Sequence, residues 1–455
     1  MPSTRLRPAS WSWSWSWFWA ALFVGGAASR IVVAETPSAD EQQDPGRFAV
    51  HGQFTYVEQE ASNFRAPYRG PNSLTPDRGR ETTDATLYLG ARLWPGAEGW
   101  IVPEIDQGFG LDDTLGLAGF PSGEAYKVGR NKPYLRLPRL FIRQSHDLGG
   151  TTEDVPPDLL QLGSERSSNR LVWTIGKFSV TDIFDTNQYA HDPRDDFLNW
   201  TAVDAGTFDY AADAWGYTVG IALEWYQGPW TLRGGAFDLS TVPNSVHLDP
   251  GFHEFQLLAE LERRHELWGR SGRLLLTAFD SRGRMGALDA AVRLAQQTGQ
   301  TVDVSAVRQY RGRIGVDVNL EQDIATDLGM FARAGWAAGN VEVYEFTDVD
   351  RTVTAGLALK GSRWGRAQDK VGVAGIVNGI STQRQRFLNA GGLGILVGDG
   401  KLPHPGSEQI LETYYELAIL GAVRLTMDYQ WVRNPAYNED RGPISIFTVR
   451  VHAQI

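Results

Sequence analysis

Alternation with a period of two runs through this chain from about residue 48 to its last residue. Between Ile444 and Ile455, the side chains of Phe447, Val449, Val451, Ala453 and Ile455 fall on one side of an extended strand, and Thr448, Arg450, His452 and Gln454 on the other. The segment 423–431 repeats it: Val423, Leu425, Met427, Tyr429 and Trp431 oppose Arg424, Thr426, Asp428 and Gln430. So does 411–419, with Leu411, Thr413, Tyr415, Leu417 and Ile419 opposite Glu412, Tyr414, Glu416 and Ala418. Each segment confines its charges to one face. Noisier copies occupy 48–58, 85–94, 100–106, 134–146, 171–178, 215–226, 230–239, 254–264, 273–280, 311–320, 328–337, 352–360 and 370–377. The pattern predicts about 16 strands of roughly the ~10 residues that a tilted strand needs to cross an outer membrane.

The connections alternate in length. Short turns are expected at 95–99, 227–229, 267–272, 321–327, 361–368 and 420–422. Long loops are expected at 61–80, 107–132, 179–213, 240–253, 281–310, 339–351, 379–407 and 433–443. The stretch 147–169 breaks the alternation, because it falls where a short turn belongs. Short on one rim and long on the other predicts an all-β fold, a transmembrane antiparallel barrel with short periplasmic turns and long extracellular loops. A soluble sandwich or propeller would carry its charges on the outer face and pack its apolar face on a second sheet. Two local expectations follow: a short capping helix within 286–298, and a positive φ at Gly421 in the turn that sets Glu416 opposite Thr426 and diagonal to Arg424.

Composition narrows the picture. The 455 residues include 50 glycines, 16 tryptophans and 15 tyrosines, and the mean hydropathy of -0.30 excludes a bundle of membrane helices. The one long apolar run, Trp11 to Ala28, follows Arg5 and Arg7 and has the character of a secretory leader. Cleavage is expected after Ala28 or Ala34, which gives a leader over residues 1–34, a short periplasmic segment over 35–47 and a barrel over 48–455. With no cysteine, stability must come from hydrogen bonding and burial rather than cross-links. Cleavage after Ala34 removes three arginines and takes the net charge from -11 to -14, which argues against a nucleic-acid partner.

The third long loop concentrates chemistry: Asp182, Asp185, Asp192, Asp195 and Asp196 lie beside Asn187, His191, Arg194 and Asn199, with aromatic rings among them. Paired carboxylates invite a glycosidase reading, and a loop of this composition could equally satisfy its own backbone in solvent. No nucleophile elbow, zinc motif or phosphate-binding loop accompanies it. The 8 histidines form no ligand pair at metal-binding spacing. No catalytic residue, metal or cofactor is therefore expected. Strand phase aims Arg92, Glu104, Glu224, Arg233, Arg333, Glu412, Glu416, Arg424 and Asp428 inward. Such a mixture of signs suits a neutral polyol better than an ion.

Ordered along the chain, Gly176-Lys-Phe-Ser-Val-Thr-Asp-Ile-Phe-Asp, Arg282-Gly-Arg-Met-Gly286, Val377-Asn-Gly-Ile-Ser381, Gly391-Gly-Leu-Gly394, Gly398-Asp-Gly400, Glu412-Thr-Tyr-Tyr415, Asp428-Tyr-Gln430, Asn434-Pro-Ala-Tyr-Asn438 and Asp440-Arg-Gly-Pro443 resemble the OprB-type carbohydrate-selective porins. The resemblance implies a sixteen-stranded barrel in the bacterial outer membrane that passes small sugars passively into the periplasm, sometimes as a homotrimer. It implies that the third loop, about 179–213, folds inward, with Asp182, Asp185, Asn187 and Arg194 at the constriction. Lipid, lipopolysaccharide and the barrel-assembly machinery are the implied partners, and Ile455 stands where such barrels usually carry the aromatic residue that this machinery recognises. An export barrel for an acidic polysaccharide is the runner-up, which would want a basic lumen; a barrel-type hydrolase is third.

Overall fold

A computed structural model describes residues 46–75, 80–125 and 129–455. The expected leader and residues 35–45 lie outside the described residues. In chain order the strands are β1 (Phe48–Ala61), β2 (Glu81–Trp94), β3 (Ala97–Gly108), β4 (Arg130–Asp147), β5 (Thr152–Val155), β6 (Ser164–Ser167), β7 (Arg170–Phe178), β8 (Thr218–Gln227) and β9 (Trp230–Asp238). They continue as β10 (Phe255–Leu267), β11 (Arg270–Gly286), β12 (Arg308–Ala325), β13 (Leu328–Ala337), β14 (Arg351–Gly361), β15 (Arg366–Gly379), β16 (Glu408–Leu420), β17 (Val423–Arg433) and β18 (Ile444–Gln454). All except β5 and β6 join one closed antiparallel barrel of sixteen strands. The terminal strand meets the first, with Phe54 opposite Ala453 and Tyr56 opposite Val451. Closure leaves no unpaired strand edge, which in lipid would cost several kcal/mol for each bare polar group.

Exposure along the strands is the reverse of a soluble sheet. Leu411 is 45% exposed and its neighbour Glu412 is 0%. The outward face is therefore a surface for lipid, and the polar core is the lumen. Glu416 does pair with Thr426, and Arg424 reaches it at 3.1 Å. Gly421 is not among the positive-φ residues; the register slips between Ala418 and Leu420 instead, so a bulge absorbs the turn. The helix within the fifth loop runs over Leu288–Thr298, stopped by Gly299 in the left-handed conformation, and Asp289 pairs with Arg386 on a second short helix, Thr382–Asn389. The strand expected over 215–226 begins only at Thr218, so the third loop extends to Tyr217.

The third loop alone was expected inside the barrel. In the structure, the second (109–125), third (179–217) and sixth (338–350) loops all fold inward, and every residue from Asp196 to Ala214 and from Val341 to Asp350 is buried. A sixteen-stranded ring is too wide for its own side chains to fill. The loops supply the missing core: Phe120 stacks on Trp200 at 5.4 Å, Trp200 and Tyr210 both meet Phe346, and Phe208 packs on Phe279 of the wall. The irregular slot 147–169 holds a small hairpin, β5 with β6, on the short-turn rim.

Candidate functional site in the lumen

The third loop is fastened to the wall at successive points along its length. Its first turn closes when the Ser179 N–H donates to Asp182 at 3.0 Å, and Arg139 of β4 grips the same carboxylate with two bonds of 2.8 and 2.6 Å. Asp185, at a φ of 55°, accepts from Ala205 N–H at 2.7 Å and from Asn319 of β12 at 2.7 Å, and faces Arg333 of β13 at 3.3 Å. Its own N–H donates to Glu260 at 2.8 Å. Asn187 donates to Asn319 at 2.7 Å. Further along, Arg333 donates to the carbonyls of Ala202 and Ala190 at 2.7 and 2.8 Å. Glu412 accepts from the N–H groups of Leu198 and Asn199, and Arg450 donates to the carbonyls of Pro193 and Asp196 at 2.7 and 2.8 Å. Buried backbone groups need such partners, and here wall side chains provide them.

Beside this scaffold a cavity of about 630 Å³ remains open. Its lining carries many charges. Arg194 stands among three carboxylates, Glu124 at 3.2 Å and Asp84 and Glu104 at 3.5 Å, and Glu104 is shared with Arg136 at 2.6 Å. Asp195 meets Lys370 at 3.0 Å and Arg424 at 3.4 Å. Aromatic rings line it too, Phe120, Trp200, Tyr210, Trp215, Tyr217 and Phe346, and Arg136 lies over Trp215 at 5.2 Å and Arg139 over Tyr217 at 5.0 Å. The environment sets the charge states of the loop groups. Burial pushes the Asp195 carboxyl up, but Lys370 and Arg424 outweigh it and bring it down to about 2. Asp182 is likewise held below its ordinary value, because Arg139 outweighs burial. Glu124 lies well above the usual carboxylate range, since burial, together with repulsion from Asp84, outweighs the pull of Arg194.

Of the residues singled out in the sequence, Asp182 and Arg194 border the cavity, as do His191, Asp192, Asp195 and Asp196 of the same loop and Arg424 of the wall. Asp185 and Asn187 face Asn319 of the wall instead, and Arg333 and Glu412 of the wall face the loop. Glu104 lies behind Arg194. Arg233 is buried among Glu224, Glu260 and Glu262 at 3.1, 2.7 and 2.8 Å. Glu416 joins Arg424 to Arg450, and Arg92 donates to the carbonyl of Gly163 in the small hairpin at 2.8 Å. Sequence reasoning noted the rings of the third loop up to Trp200 but missed Arg139, Glu124 and the aromatic residues that join them, Phe120, Tyr210, Trp215, Tyr217 and Phe346. The signal for the rings was present, because Trp200, Phe208, Tyr210 and Phe346 are residues that a solvated loop has no reason to carry. Among the described residues no cluster of His, Asp and Glu could hold a metal ion.

A closed sixteen-stranded barrel narrowed by its own inward loops is the architecture of a porin. The chain belongs to the OprB family of carbohydrate-selective porins, whose family model matches residues 72–455. No curated protein matches it in sequence. Its fold is similar to the high-pH structure of Pseudomonas putida OprB, with a TM-score of 0.66 and 14% identity over 90% of this chain and 94% of that one. It is also similar to the outer membrane channel DcaP of Acinetobacter baumannii, with a TM-score of 0.51 and 12% identity over 90% of this chain and 97% of that one. The protein is thus an outer-membrane carbohydrate channel, of a family and fold that are those of channels rather than enzymes.

Proposed function

We propose that the lumen cavity is the constriction through which mono- and small oligosaccharides diffuse passively into the periplasm. The observation that carries this reading is that one cavity of about 630 Å³ is lined both by ion-paired charges and by aromatic rings, with Arg139 lying over the Tyr217 ring at 5.0 Å. Sugars present hydroxyls around the ring edge and C–H groups on its faces. Paired carboxylates and guanidinium groups exchange hydrogen bonds with the former, and Trp215 and Tyr217 cover the latter. Where the charged groups are already paired, as Asp182 is with Arg139, a sugar hydroxyl replaces water at modest gain, which keeps binding weak enough for exit.

In this reading the site residues have two roles. Asp182 and Arg194 contact the solute, with Arg139, Asp192 and Trp215 beside them. Asp185, Asn187, Arg333 and Glu412 hold the loop that presents them, while Glu104, Arg233 and Glu416 keep the wall's charges paired and Arg92 acts at the opposite rim. The leader is removed on export, the barrel-assembly machinery inserts the chain, and lipopolysaccharide surrounds the long-loop rim. A trimer would use the flat outward row in which Ala355 pairs with Ala332 and Gly375. Swelling of liposomes carrying the protein, with sugars of graded size, tests the function: sugars up to a size limit enter faster than in empty liposomes, and uptake no faster than in empty liposomes overturns it.

A further inference from the structure

Two residues suffice to connect strands elsewhere on the short-turn rim, as at Gly228–Pro229 between β8 and β9 and Trp268–Gly269 between β10 and β11. Between β4 and β7 the chain instead builds a hairpin from β5 and β6, whose tip turns back at the reciprocal bonds between Asp158 and Gln161, 2.9 and 3.1 Å. The central residues of that turn are Leu159 and Leu160. Turn centres ordinarily carry Gly, Asn, Asp or Pro, since they face water. Two leucines there call for another environment, and the structure supplies it: both pack against the hydrophobic cluster inside the barrel.

The tip is fixed to three neighbouring strands. Arg92 of β2 donates to the carbonyl of Gly163 at 2.8 Å, and the N–H of Leu162 donates to Glu98 of β3 at 2.9 Å. Arg143 of β4 bridges that glutamate and the carbonyl of Leu160, both at 2.8 Å. Leu162 is buried. At the stem, Leu148 N–H bonds to Asn169, and Gly149 and Gly150, at φ of 91° and 97°, reverse the chain in a conformation that L side chains rarely adopt. Asp158, Leu159 and Leu160 border the same cavity as Asp182 and Arg194 of the third loop. One chamber is therefore bounded from both rims.

We infer that the hairpin is a second, exit-side constriction in series with the third loop, and that Leu159 and Leu160 are specificity-determining residues that set the largest sugar released from the chamber. Their apolar side chains offer a ring face a surface and its hydroxyls none, so they hold the path narrow without adding affinity that would slow departure. The inference rests on the cavity being the sugar path.

The chain has no cysteine, which allows a clean test in planar bilayers. Leu160→Cys and, as a control on the exposed stem, Glu153→Cys are labelled with a bulky methanethiosulfonate, and a third variant replaces residues 151–167 with Asn-Gly. Labelling Leu160→Cys is expected to lower conductance about twofold and to reduce the largest sugar that passes, labelled Glu153→Cys to conduct as the wild type, and the shortened variant to admit larger sugars. An unreactive thiol at 160, or labelling there that changes neither conductance nor size limit while the wild type still conducts sugars, overturns the second constriction alone. A wild type that conducts no sugar overturns the path and the constriction together.

Discussion

Arg333 on β13 and Asp185 in the third loop lie 3.3 Å apart, and neither side chain has any exposure. Their pairing converts a loop of many backbone donors and acceptors into part of the wall, because the same guanidinium also takes the carbonyls of Ala190 and Ala202. Removing one member of such a pair leaves the other charge buried and alone, at a cost of roughly 3–5 kcal/mol. Arg333→Met should therefore lower the thermal transition of the detergent-solubilised barrel and, by freeing the loop, add flicker to single-channel currents. A quiet channel of unchanged stability would show that the pair does not hold the loop.

Trp215 borders the cavity with its ring under Arg136, at 5.2 Å, and its N–H on Tyr134 at 2.9 Å. Its replacement by alanine should weaken sugar binding by up to about tenfold, the scale of one aromatic contact. Titration of sugar against single-channel current measures this, and the open-channel conductance for salt should stay or rise.

Asp182→Asn removes the carboxylate that Arg139 holds with two bonds. The lumen gains one uncompensated positive charge at the cavity's edge. Reversal potentials in a salt gradient should shift toward anions, whereas Asp289→Asn, on the exposed long-loop rim, should leave them unchanged.

The ion pairs of the third loop predict an acid limit. Asp195 and Asp182 titrate below their ordinary value when folded, so their stabilisation is complete above the unfolded carboxylate value of about 3.9 and is lost as pH falls through the folded one, about 2 for Asp195. Conductance should hold from neutral pH to about 4 and become unstable below it. Glu124 acts in the opposite sense, since its raised value means that its contribution is lost as pH rises through it. Current recordings across the acid range, repeated with Asp195→Asn, separate the two.

The barrel was legible because lipid on one side and water on the other impose a period of two that no loop obscures, and β16, β17 and β18 show it almost without error. The lumen was less so. Strand phase correctly aims Arg333, Glu412 and Arg233 inward, but phase says nothing of what lies opposite: Arg233 finds its glutamates on adjacent strands, whereas the partners of Arg333 and Glu412 come from a loop more than a hundred residues away, as with Asp185 and Arg333. The inward course of the sixth loop was written in Val341, Val343, Tyr344, Phe346 and Val349, a run too apolar for solvent. Reading it required treating a loop as core, which becomes compelling only once the width of the ring is known.

The mutual pairing of the lumen's charges has an electrical consequence. A guanidinium and a carboxylate held together act on a distant solute as a fixed dipole, whose field dies away faster than that of a bare ion. Where the pairing is one to one, as with Arg139 and Asp182, an ion passing at a distance meets a weakened field. A hydroxyl that approaches within bonding distance still feels each partner separately. Paired charges of this kind favour recognition by close contact over attraction at a distance, and a neutral, hydroxyl-covered solute is the kind that contact can tell apart.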